Sequence, residues 1–301
     1  MSDEADFIAA LRGIVRHPGA RSLLDDAAVL PPPIGRDLVV THDMIAEGVH
    51  FLADDPPGDV AWKLVAVNLS DLAAKGAKPI GAILGYTLSN AEWDAAFVAG
   101  LGRVLDQFDV PLLGGDTISA PMRCFGLTAF GEATPPVPDR RGAKAGDGLW
   151  VSGVIGDAGL GLRIARGEIK GPRRLLKAYR LPMPLLDAGR ALAPLVTAMA
   201  DVSDGLLIDA ARLAAARGLA VAIDLDAVPR SAEAIALAGD DRAARIAAVT
   251  AGDDYALIAA APGTLPGAVR IGSFAAGEGL SLHDAAGTVP LPARLGWTHT
   301  N

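Results

Sequence analysis

The sequence carries acidic residues next to turns and at the ends of apolar segments, where carboxylates are available for chemistry. These residues are Asp25, Asp26, Asp43, Glu47, Asp71, Asp116, Asp201, Asp204, Asp253 and Asp254. An acidic residue in such a place usually caps a helix or a turn, so none of them indicates a site by itself. The chain has no G-x-x-x-x-G-K-[ST] loop and no protein-kinase catalytic signature, so ordinary phosphate-binding machinery is absent.

Three of these acids lie beside segments that are predicted to be buried. Asp43 ends an apolar strand, Asp71 shares an arc of a helix with Asn68, and Asp116 follows a strand in the segment GGDT (114–117). Because α/β sheets bind ligands at the ends of their strands, we expect these acids to converge. Converging carboxylates repel one another unless cations join them, and Mg²⁺ binds one or two carboxylates while it bridges substrate phosphates. The pattern therefore predicts magnesium-dependent phosphoryl transfer.

Composition favours small ligands as the partners of this chain. With 301 residues, 51% of them hydrophobic, the chain can form two domains, and its net charge of −8 disfavours nucleic acid or an anionic membrane as a partner. No apolar run approaches the roughly 18–20 residues of a membrane helix. Residues 1–7 lack the features of a secretory signal and Cys124 is the only cysteine, so we expect a cytoplasmic protein in which Cys124 is a small buried hydrophobe without a chemical role.

Helix and strand periods alternate along the chain and predict an α/β architecture in both halves. Phe7, Leu11, Ile14 and Val15 form an apolar helical stripe. Further helices are predicted at 60–75, from about Asn90, at 184–198 and at 205–217, and strands at 37–43, 80–88, 110–113, 122–130, 149–154, 219–225 and 255–259.

A proline-rich and basic stretch, residues 132–147, interrupts this periodicity and is the predicted domain boundary. Beyond it, residues 153–161 contain several glycines and lead into a helix. No acidic residue ends a second strand about 20 residues further on, as a dinucleotide fold requires, so this segment is predicted to be a tight turn.

The motifs of the whole chain, taken in order, resemble those of the thiamine-monophosphate kinases of the aminoimidazole-ribotide-synthetase-like superfamily. The matching stretches are DDAAV (25–29), DMIAEGVHF (43–51), Lys63 with NLSDLAA (68–74), GGDT (114–117), RGAKAGD (141–147), DVSDGL (201–206) and GDDY (252–255). The resemblance implies an α/β (α+β) protein with a mixed sheet in an N-terminal domain (1–135), which binds ATP and Mg²⁺ and dimerises. An α/β C-terminal domain (136–301) would complete the active site.

The implied reaction joins ATP to thiamine monophosphate and yields ADP and thiamine diphosphate by direct transfer. By resemblance, the ligands of several Mg²⁺ ions are Asp26, Thr41, His42, Asp43, Asp71, Asp116, Asp201 and Asp204, with Asp43, Asp71, Asp116 and Asp204 central to catalysis. ATP would be bound by Gly115, Asp116, Arg140 and Ser203, and the acceptor by His50, Asp253 and Trp297. The family is usually a homodimer, and we carry that over as an expectation.

Four positions depart from the family pattern. They are Leu24 in place of Gly, His42 in place of Thr, Lys75 in place of Met, and Asp253 in place of Glu. His42 could weaken one magnesium contact, Asp253 is one methylene shorter toward the acceptor, and Lys75 is expected to face solvent. Two alternatives remain open. One is another ATP-using synthetase of the superfamily, and the other is a non-catalytic protein that binds thiamine phosphates.

Overall fold

The computed structural model describes residues 4–24, 27–28 and 30–298. The chain divides into two compact units: the first holds residues 1–72 and 77–135, and the second holds residues 73–76 and 136–301. The division at 135/136 falls inside the proline-rich stretch. No helix within the described ranges is long and apolar enough to cross a membrane.

The first unit is a mixed sheet with helices. Its elements are α1 (Glu4–Arg12), β1 (Asp37–Ala46), α2 (Pro57–Ala74), β2 (Lys78–Leu88), α3 (Ala91–Phe108), β3 (Leu112–Ser119) and β4 (Cys124–Ala133), of which the last two residues of α2 belong to the second unit. The strand order is β1-β4-β2-β3, in which β4 pairs antiparallel with β1 and β2 while β3 pairs parallel with β2. The last strand in the sequence therefore lies between the first two, which places β1 and β3 at opposite edges.

The helices cover one face of this sheet and leave the other exposed. On the covered face, the ring of Tyr86 lies 4.8 Å from Phe97 of α3 and 4.2 Å from Phe7 of α1, so both helices pack on β2. Side chains alternate along a strand, and the residues that point away from the helices are partly apolar. The large apolar residues exposed there are Leu38, Val40, Met44, Ile83 and Ile118.

Two predicted strand ends in this unit are wrong. Strand β1 continues past Asp43 to Ala46, and β3 begins at Leu112 and includes Gly114–Thr117 rather than ending before them. Glycines usually weaken a strand. Here Gly115 pairs with Leu84 of β2, and a Cβ on Gly115 would lie 2.2 Å from the carbonyl oxygen of Leu84, so close strand pairing requires glycine.

The second unit contains a larger mixed sheet. Its elements are β5 (Gly148–Ser152), α4 (Asp157–Ala165), α5 (Arg173–Arg180), α6 (Leu186–Leu192), β6 (Ala198–Val202), α7 (Leu206–Ala215), β7 (Leu219–Asp224), α8 (Ala232–Ala238), α9 (Arg242–Thr250), β8 (Ala256–Ala261), β9 (Val269–Ala276), β10 (Gly279–Asp284) and β11 (Gly287–Val289). The order is β11-β10-β7-β9-β5-β8-β6, with only β10 and β7 parallel among the described pairs.

The helix predicted at residues 184–198 is wrong at both ends. Helix α6 is followed by a 3-10 turn (Ala193–Leu195), after which the chain becomes extended and β6 begins at Ala198. The backbone N–H of Thr197 donates to the carbonyl of Ala260, so pairing with β8 starts before the strand itself. This strand was missed because it is rich in alanine, and alanine favours helices. Its side chains are buried in the unit's core.

Candidate functional site

Strand β1 and helix α2 bring polar groups together on the covered face of the first sheet. Thr41 and Asp43 alternate with exposed residues along β1, so both face the helix. The hydroxyl of Thr41 donates to a carboxylate oxygen of Asp71, and the backbone N–H of Asp43 donates to Oδ1 of Asn68 at 2.9 Å. Asn68 is fully buried. The arc of α2 that carries Asn68 and Asp71 is therefore packed against β1.

His42 lies on the other face of β1. Its Nδ1 is 2.9 Å from the hydroxyl of Thr128 on the neighbouring strand. Because consecutive strand residues point to opposite faces, the side chain of His42 does not join Thr41, Asp43 and Asp71. The interpretation of His42 as a side-chain metal ligand alongside them disagrees with this geometry.

Asp116 lies far from Asp43 within the first unit. It pairs with Gly85 and is exposed on the uncovered face of edge strand β3, whereas Asp43 lies on the covered face of edge strand β1. Three strand spacings of about 4.8 Å separate these edges, or roughly 14 Å. The expectation that Asp43, Asp71 and Asp116 converge within one unit is therefore wrong, because the sequence does not reveal that β4 inserts between β1 and β2.

A cavity of about 430 Å³ runs along the edge strand β3. Its wall includes Gly114–Thr117 on one side and apolar residues of the N-terminal segment, such as Ile8 and Leu11, on the other. The hydroxyl of Thr117 donates to Glu4 at 2.6 Å and links the two sides. The cavity thus combines an apolar wall with the exposed backbone and carboxylate of the GGDT segment.

The loop after β1 holds His50 in a defined orientation. The backbone N–H of Ala46 donates to Nδ1 of His50 at 3.1 Å, and Nζ of Lys63 donates to the carbonyl of His50 at 2.8 Å. A bridge between Glu47 and Phe51 closes the loop. His50 is partly exposed.

In the second unit, the DVSDG segment forms a turn between β6 and α7. Asp201 is buried near the end of β6, and Ser203 and Asp204 follow it. Asp209, on the first turn of α7, accepts hydrogen bonds from the backbone N–H groups of Ser203 (3.1 Å) and Asp204 (3.0 Å). Arg212 donates to both Asp204 and Asp209. Burial raises the pKa of Asp209, because the low-polarity surroundings disfavour its charge.

Two distant segments are fixed to this turn by backbone hydrogen bonds. The N–H of Asp253 donates to the carbonyl of Ser203 at 2.7 Å, and the N–H of Trp297 donates to the carbonyl of Asp204 at 2.8 Å. A Cβ on Gly252 would lie 2.7 Å from the Ser203 carbonyl, so the approach is close. The hydroxyl of Tyr255 donates to Asp253, and Trp297 is 52% exposed. The structure therefore brings together four predicted site residues: Ser203, Asp204, Asp253 and Trp297.

The remaining predicted residues have separate environments. Arg140 is exposed on a 3-10 turn (Arg140–Gly142) of the second unit. Lys75 was expected to face solvent, but its Nζ donates to the carbonyls of Pro138 (3.2 Å) and Met199 (3.4 Å). Cys124 is partly buried at the start of β4. Asp26 lies outside the described residues.

The glycine-containing segment 153–161 is a turn that already holds an acidic side chain. Helix α4 begins there at Asp157, and the carboxylate of Asp254 accepts hydrogen bonds from the N–H groups of Gly156 (3.0 and 2.9 Å) and Ala158 (3.4 Å). Burial raises the pKa of Asp254 well above its usual value. Because the carboxylate of Asp254 already accepts from these N–H groups at the start of α4, they are not available to bind a phosphate. This agrees with the interpretation of the segment as a tight turn.

Asp209 and Arg212 were missed by the sequence reasoning. A signal was present, because Asp209 lies three residues after Leu206 and therefore falls on the apolar face of α7 with Leu213. A carboxylate on the buried face of a helix needs hydrogen-bond partners, and the preceding turn supplies them. Its position could have been identified as a structural support for the DVSDG segment.

Oxygen donors suitable for Mg²⁺ are present, although the described residues do not form a complete metal-binding site by themselves. Among the described residues, no three or more His, Cys, Asp and Glu side chains are grouped so that they could hold a metal ion. Mg²⁺ usually takes one or two carboxylates and completes its shell with water and substrate phosphates. The hydrogen-bonded pair of Thr41 and Asp71 and the nearby Asp43 consist of such hard ligands, so they fit a magnesium ion that a phosphate substrate helps to hold.

Comparison with known proteins identifies relatives over almost the whole chain. Residues 24–133 match the family described as AIR synthase related protein, N-terminal domain, and residues 144–285 match its C-terminal domain. A thiamine-monophosphate kinase of Caulobacter vibrioides is 41% identical over 98% of this chain and 90% of its own length.

Solved structures show the same fold. A thiamine-monophosphate kinase from Stenotrophomonas maltophilia superposes with a TM-score of 0.82 at 34% identity and covers 94% of this chain and 96% of its own. AaThiL complexed with AMPPCP and TMP superposes with a TM-score of 0.79 at 27% identity and covers 90% of each chain. The α/β architecture with mixed sheets and two domains of this family is therefore confirmed.

Proposed function

Because this chain belongs to the thiamine-monophosphate kinase family of AIR synthase related proteins, we propose that it phosphorylates thiamine monophosphate to thiamine diphosphate with ATP. The observation that carries this proposal is the joining of Asp253 and Trp297 to the turn of Ser203 and Asp204. Residues expected to contact the acceptor thereby lie beside residues expected to contact ATP and magnesium.

ATP is the phosphate donor in this proposal. The cavity along β3 has the apolar wall that a base needs, and Gly115 and Asp116 lie where phosphates would approach an exposed backbone. A relative in complex with AMPPCP, an analogue of ATP, supports this choice. In the second unit, Ser203 and the exposed Arg140 supply a hydroxyl and a positive charge for the nucleotide.

The acceptor is thiamine monophosphate, in agreement with the TMP of the same complex. His50, Asp253 and Trp297 are proposed to contact the acceptor. The exposed ring of Trp297 suits a cationic heterocycle, since aromatic faces attract cations. Tyr255 fixes the carboxylate of Asp253, which is one methylene shorter than the Glu frequent in the family.

Several Mg²⁺ ions are proposed to be held by Asp26, Thr41, Asp43, Asp71, Asp116, Asp201 and Asp204, with Asp116 apart from the group of Thr41, Asp43 and Asp71 within the first unit. When bound, such ions neutralise the charges of the two anionic substrates. The chain's own contribution is the fixed position of these oxygens. Asn68 holds the backbone of Asp43, the hydroxyl of Thr41 contacts Asp71, and Asp209 holds the N–H of Asp204.

In the proposed reaction, an oxygen of the acceptor phosphate attacks the γ-phosphorus of ATP in line. The bond from the γ-phosphorus to the bridging oxygen breaks, and ADP leaves with that oxygen. No general base is required, because a phosphate monoester with a second pKa of about 6 is already largely ionised near neutral pH. Positioning of the two phosphates by the loops described above supplies most of the catalysis.

We also propose that the protein is a cytoplasmic homodimer that pairs through the uncovered face of the first sheet. That face exposes Leu38, Val40, Met44, Ile83 and Ile118, and several large apolar residues exposed on one face are typical of protein interfaces. A Val40→Glu variant is expected to halve the mass measured by light scattering. An unchanged dimeric mass in that variant would refute this interface.

The activity is tested with purified protein, ATP and MgCl₂, with thiamine monophosphate and free thiamine offered in parallel. Thiamine diphosphate and ADP are expected in equal amounts from the monophosphate alone. Binding of thiamine monophosphate without turnover would instead identify a non-catalytic binding protein. Absence of both binding and turnover would indicate another ATP-using reaction of the superfamily.

A further inference from the structure

An arginine immediately before β4 is joined twice to the residue that follows β1. Nη1 of Arg123 donates to the carboxylate of Glu47 at 2.7 Å, and the backbone N–H of Glu47 donates to the carbonyl of Arg123 at 2.9 Å. These two residues lie just beyond Ala46 and Cys124, the last pair of β1 and β4. Glu47 is one of the acidic residues near a strand end, and the proposed reaction assigns it no role.

The guanidinium of Arg123 is also held by two other elements of the first unit. Its Nε donates to the hydroxyl of Ser89, directly after β2, at 3.1 Å. Its central carbon lies 4.6 Å from the centre of the Trp93 ring, on the first turn of α3. A planar guanidinium can stack on a ring while it donates in fixed directions. Arg123 is therefore oriented toward Glu47 by contacts that do not involve the loop.

This ion pair is shielded from water to a larger extent than an ordinary surface pair. The side chains of Arg123 and Glu47 are 24% and 30% exposed, whereas those of Arg16 and Asp106, which pair at 3.4 Å in the same unit, are 73% and 61% exposed. Partly buried pairs are less screened by salt, and exposed pairs contribute little to stability. We therefore expect the pair of Arg123 and Glu47 to hold the chain, and the other pair to serve as a control.

The segment that Glu47 begins, residues 47–51, has a fixed end and an exposed middle. At its end, Phe51 is 2% exposed and its ring lies 5.9 Å from that of Phe125. The backbone N–H groups of residues 48–50 donate to carbonyls of Ala46 and Phe51 at 2.8–3.2 Å, but these residues are exposed or partly exposed. The contacts of Glu47 thus anchor the beginning of the loop.

We propose that Arg123 is a positioning residue that sets the affinity for the acceptor by holding Glu47, and thereby the loop 47–51. This inference rests on the proposed function, in which the loop supplies an acceptor contact, and it concerns what holds the loop rather than what the loop touches. The cavity proposed for ATP lies along β3, at the opposite edge of the sheet from β1. Binding of ATP is therefore expected to be insensitive to Arg123.

Hydrogen exchange tests the anchoring without reference to activity. Arg123→Met retains an aliphatic chain over the Trp93 ring but removes the charge. In this variant the N–H groups of residues 47–50 are expected to exchange about tenfold faster, while those of β3 stay within about twofold. Unchanged exchange in the loop would overturn the proposal. Absence of turnover in the unmodified protein would instead count against the proposed function, so the two failures are distinguishable.

Steady-state kinetics test the consequence for the substrates. We expect Arg123→Met to raise the KM for the acceptor about tenfold while the KM for ATP stays within about twofold. Arg123→Lys keeps the charge but loses the planar group, so a rise of about threefold is expected. Arg16→Met, in the exposed pair, is the matched control and should leave both values unchanged. Equal rises in the two KM values would indicate a general loss of structure and would overturn the proposal.

A double-mutant cycle tests whether Arg123 acts through Glu47. The isosteric change Glu47→Gln is expected to raise the acceptor KM about threefold in the unmodified protein, and less than about 1.5-fold in the Arg123→Met background. Fully additive effects would overturn the proposal. If Arg123→Met does not fold, Glu47→Gln and Arg123→Lys decide the question, since an unchanged acceptor KM in both would overturn it as well.

Discussion

Replacing Asp209 with alanine removes every hydrogen bond that its carboxylate makes to the turn before α7. The residue is 3% exposed and accepts from the N–H groups of Ser203 and Asp204 and from Arg212 at 2.9 Å. Alanine offers no acceptor, so the turn loses the group that fixes its shape.

The size of the effect follows from the two backbone donors. A buried donor left without a partner costs about 1–3 kcal/mol. Ser203 and Asp204 are partly exposed, so water can replace part of the lost hydrogen bonding to their N–H groups. Alanine also removes a carboxylate whose charge is disfavoured by burial, which offsets part of the cost. We therefore expect about 2–3 kcal/mol of lost unfolding free energy. For a domain of this size that corresponds to a fall in Tm of about 4–12 °C.

Differential scanning calorimetry measures this loss, with two further variants for comparison. In Asp209→Asn the amide oxygen can still accept from both backbone donors, and only the pairing with Arg212 is lost, so we expect at most about 1 kcal/mol. Asp224→Ala removes a similar backbone acceptor from an exposed turn, where it bonds to the N–H of Asp226, and should cost less than about 0.5 kcal/mol. If Asp209→Ala matched Asp224→Ala, the reasoning would be refuted.

Four other changes give distinct outcomes. Asp71→Asn should reduce kcat by about 100-fold or more with a Tm within a few degrees, because the amide oxygen still accepts from the Thr41 hydroxyl. Trp297→Ala should raise the acceptor KM about tenfold and Trp297→Phe much less. Arg212→Gln frees the carboxylate of Asp204 and should strengthen Mn²⁺ binding, measured by calorimetry, about 2- to 5-fold. Burial raises the pKa of Asp254, so the folded state holds that proton more tightly. Stability therefore falls as pH rises from about 4, and Asp254→Asn should flatten this slope in thermal unfolding.

Local patterns predicted most of the elements of the first unit. The helix expected from about Asn90 begins at Ala91, with the side chain of Asn90 accepting from the N–H of Trp93 at 2.9 Å. A strong helical period and a capping residue are local signals, so they predict the helix without knowledge of its tertiary contacts. Strand ends were less predictable, because the pairing of Gly115 with Leu84 overrides the tendency of glycine to break a strand.

Sheet order was the feature that local reasoning could not supply. The prediction that Asp43 and Asp116 converge was wrong because β4 lies between β1 and β2. The residues around either acid do not reveal this strand order. The turn of the second unit was different. Its residues Asp204, Asp253 and Trp297 were named through family resemblance, but the hydrogen bonds that join them depend on tertiary contacts between segments far apart in the sequence. Asp209 was a different case, because its partners are near in the sequence and its place on the apolar face of α7 was a local signal.

Direct transfer from ATP to thiamine monophosphate is the central claim, and ATP labelled with ³²P at the γ-position tests it most directly. The label is expected to appear in thiamine diphosphate, with unlabelled ADP formed in equal amount and no labelled inorganic phosphate released. Label found in inorganic phosphate, with no labelled thiamine diphosphate, would contradict the claim and indicate that the chain uses ATP for a different reaction.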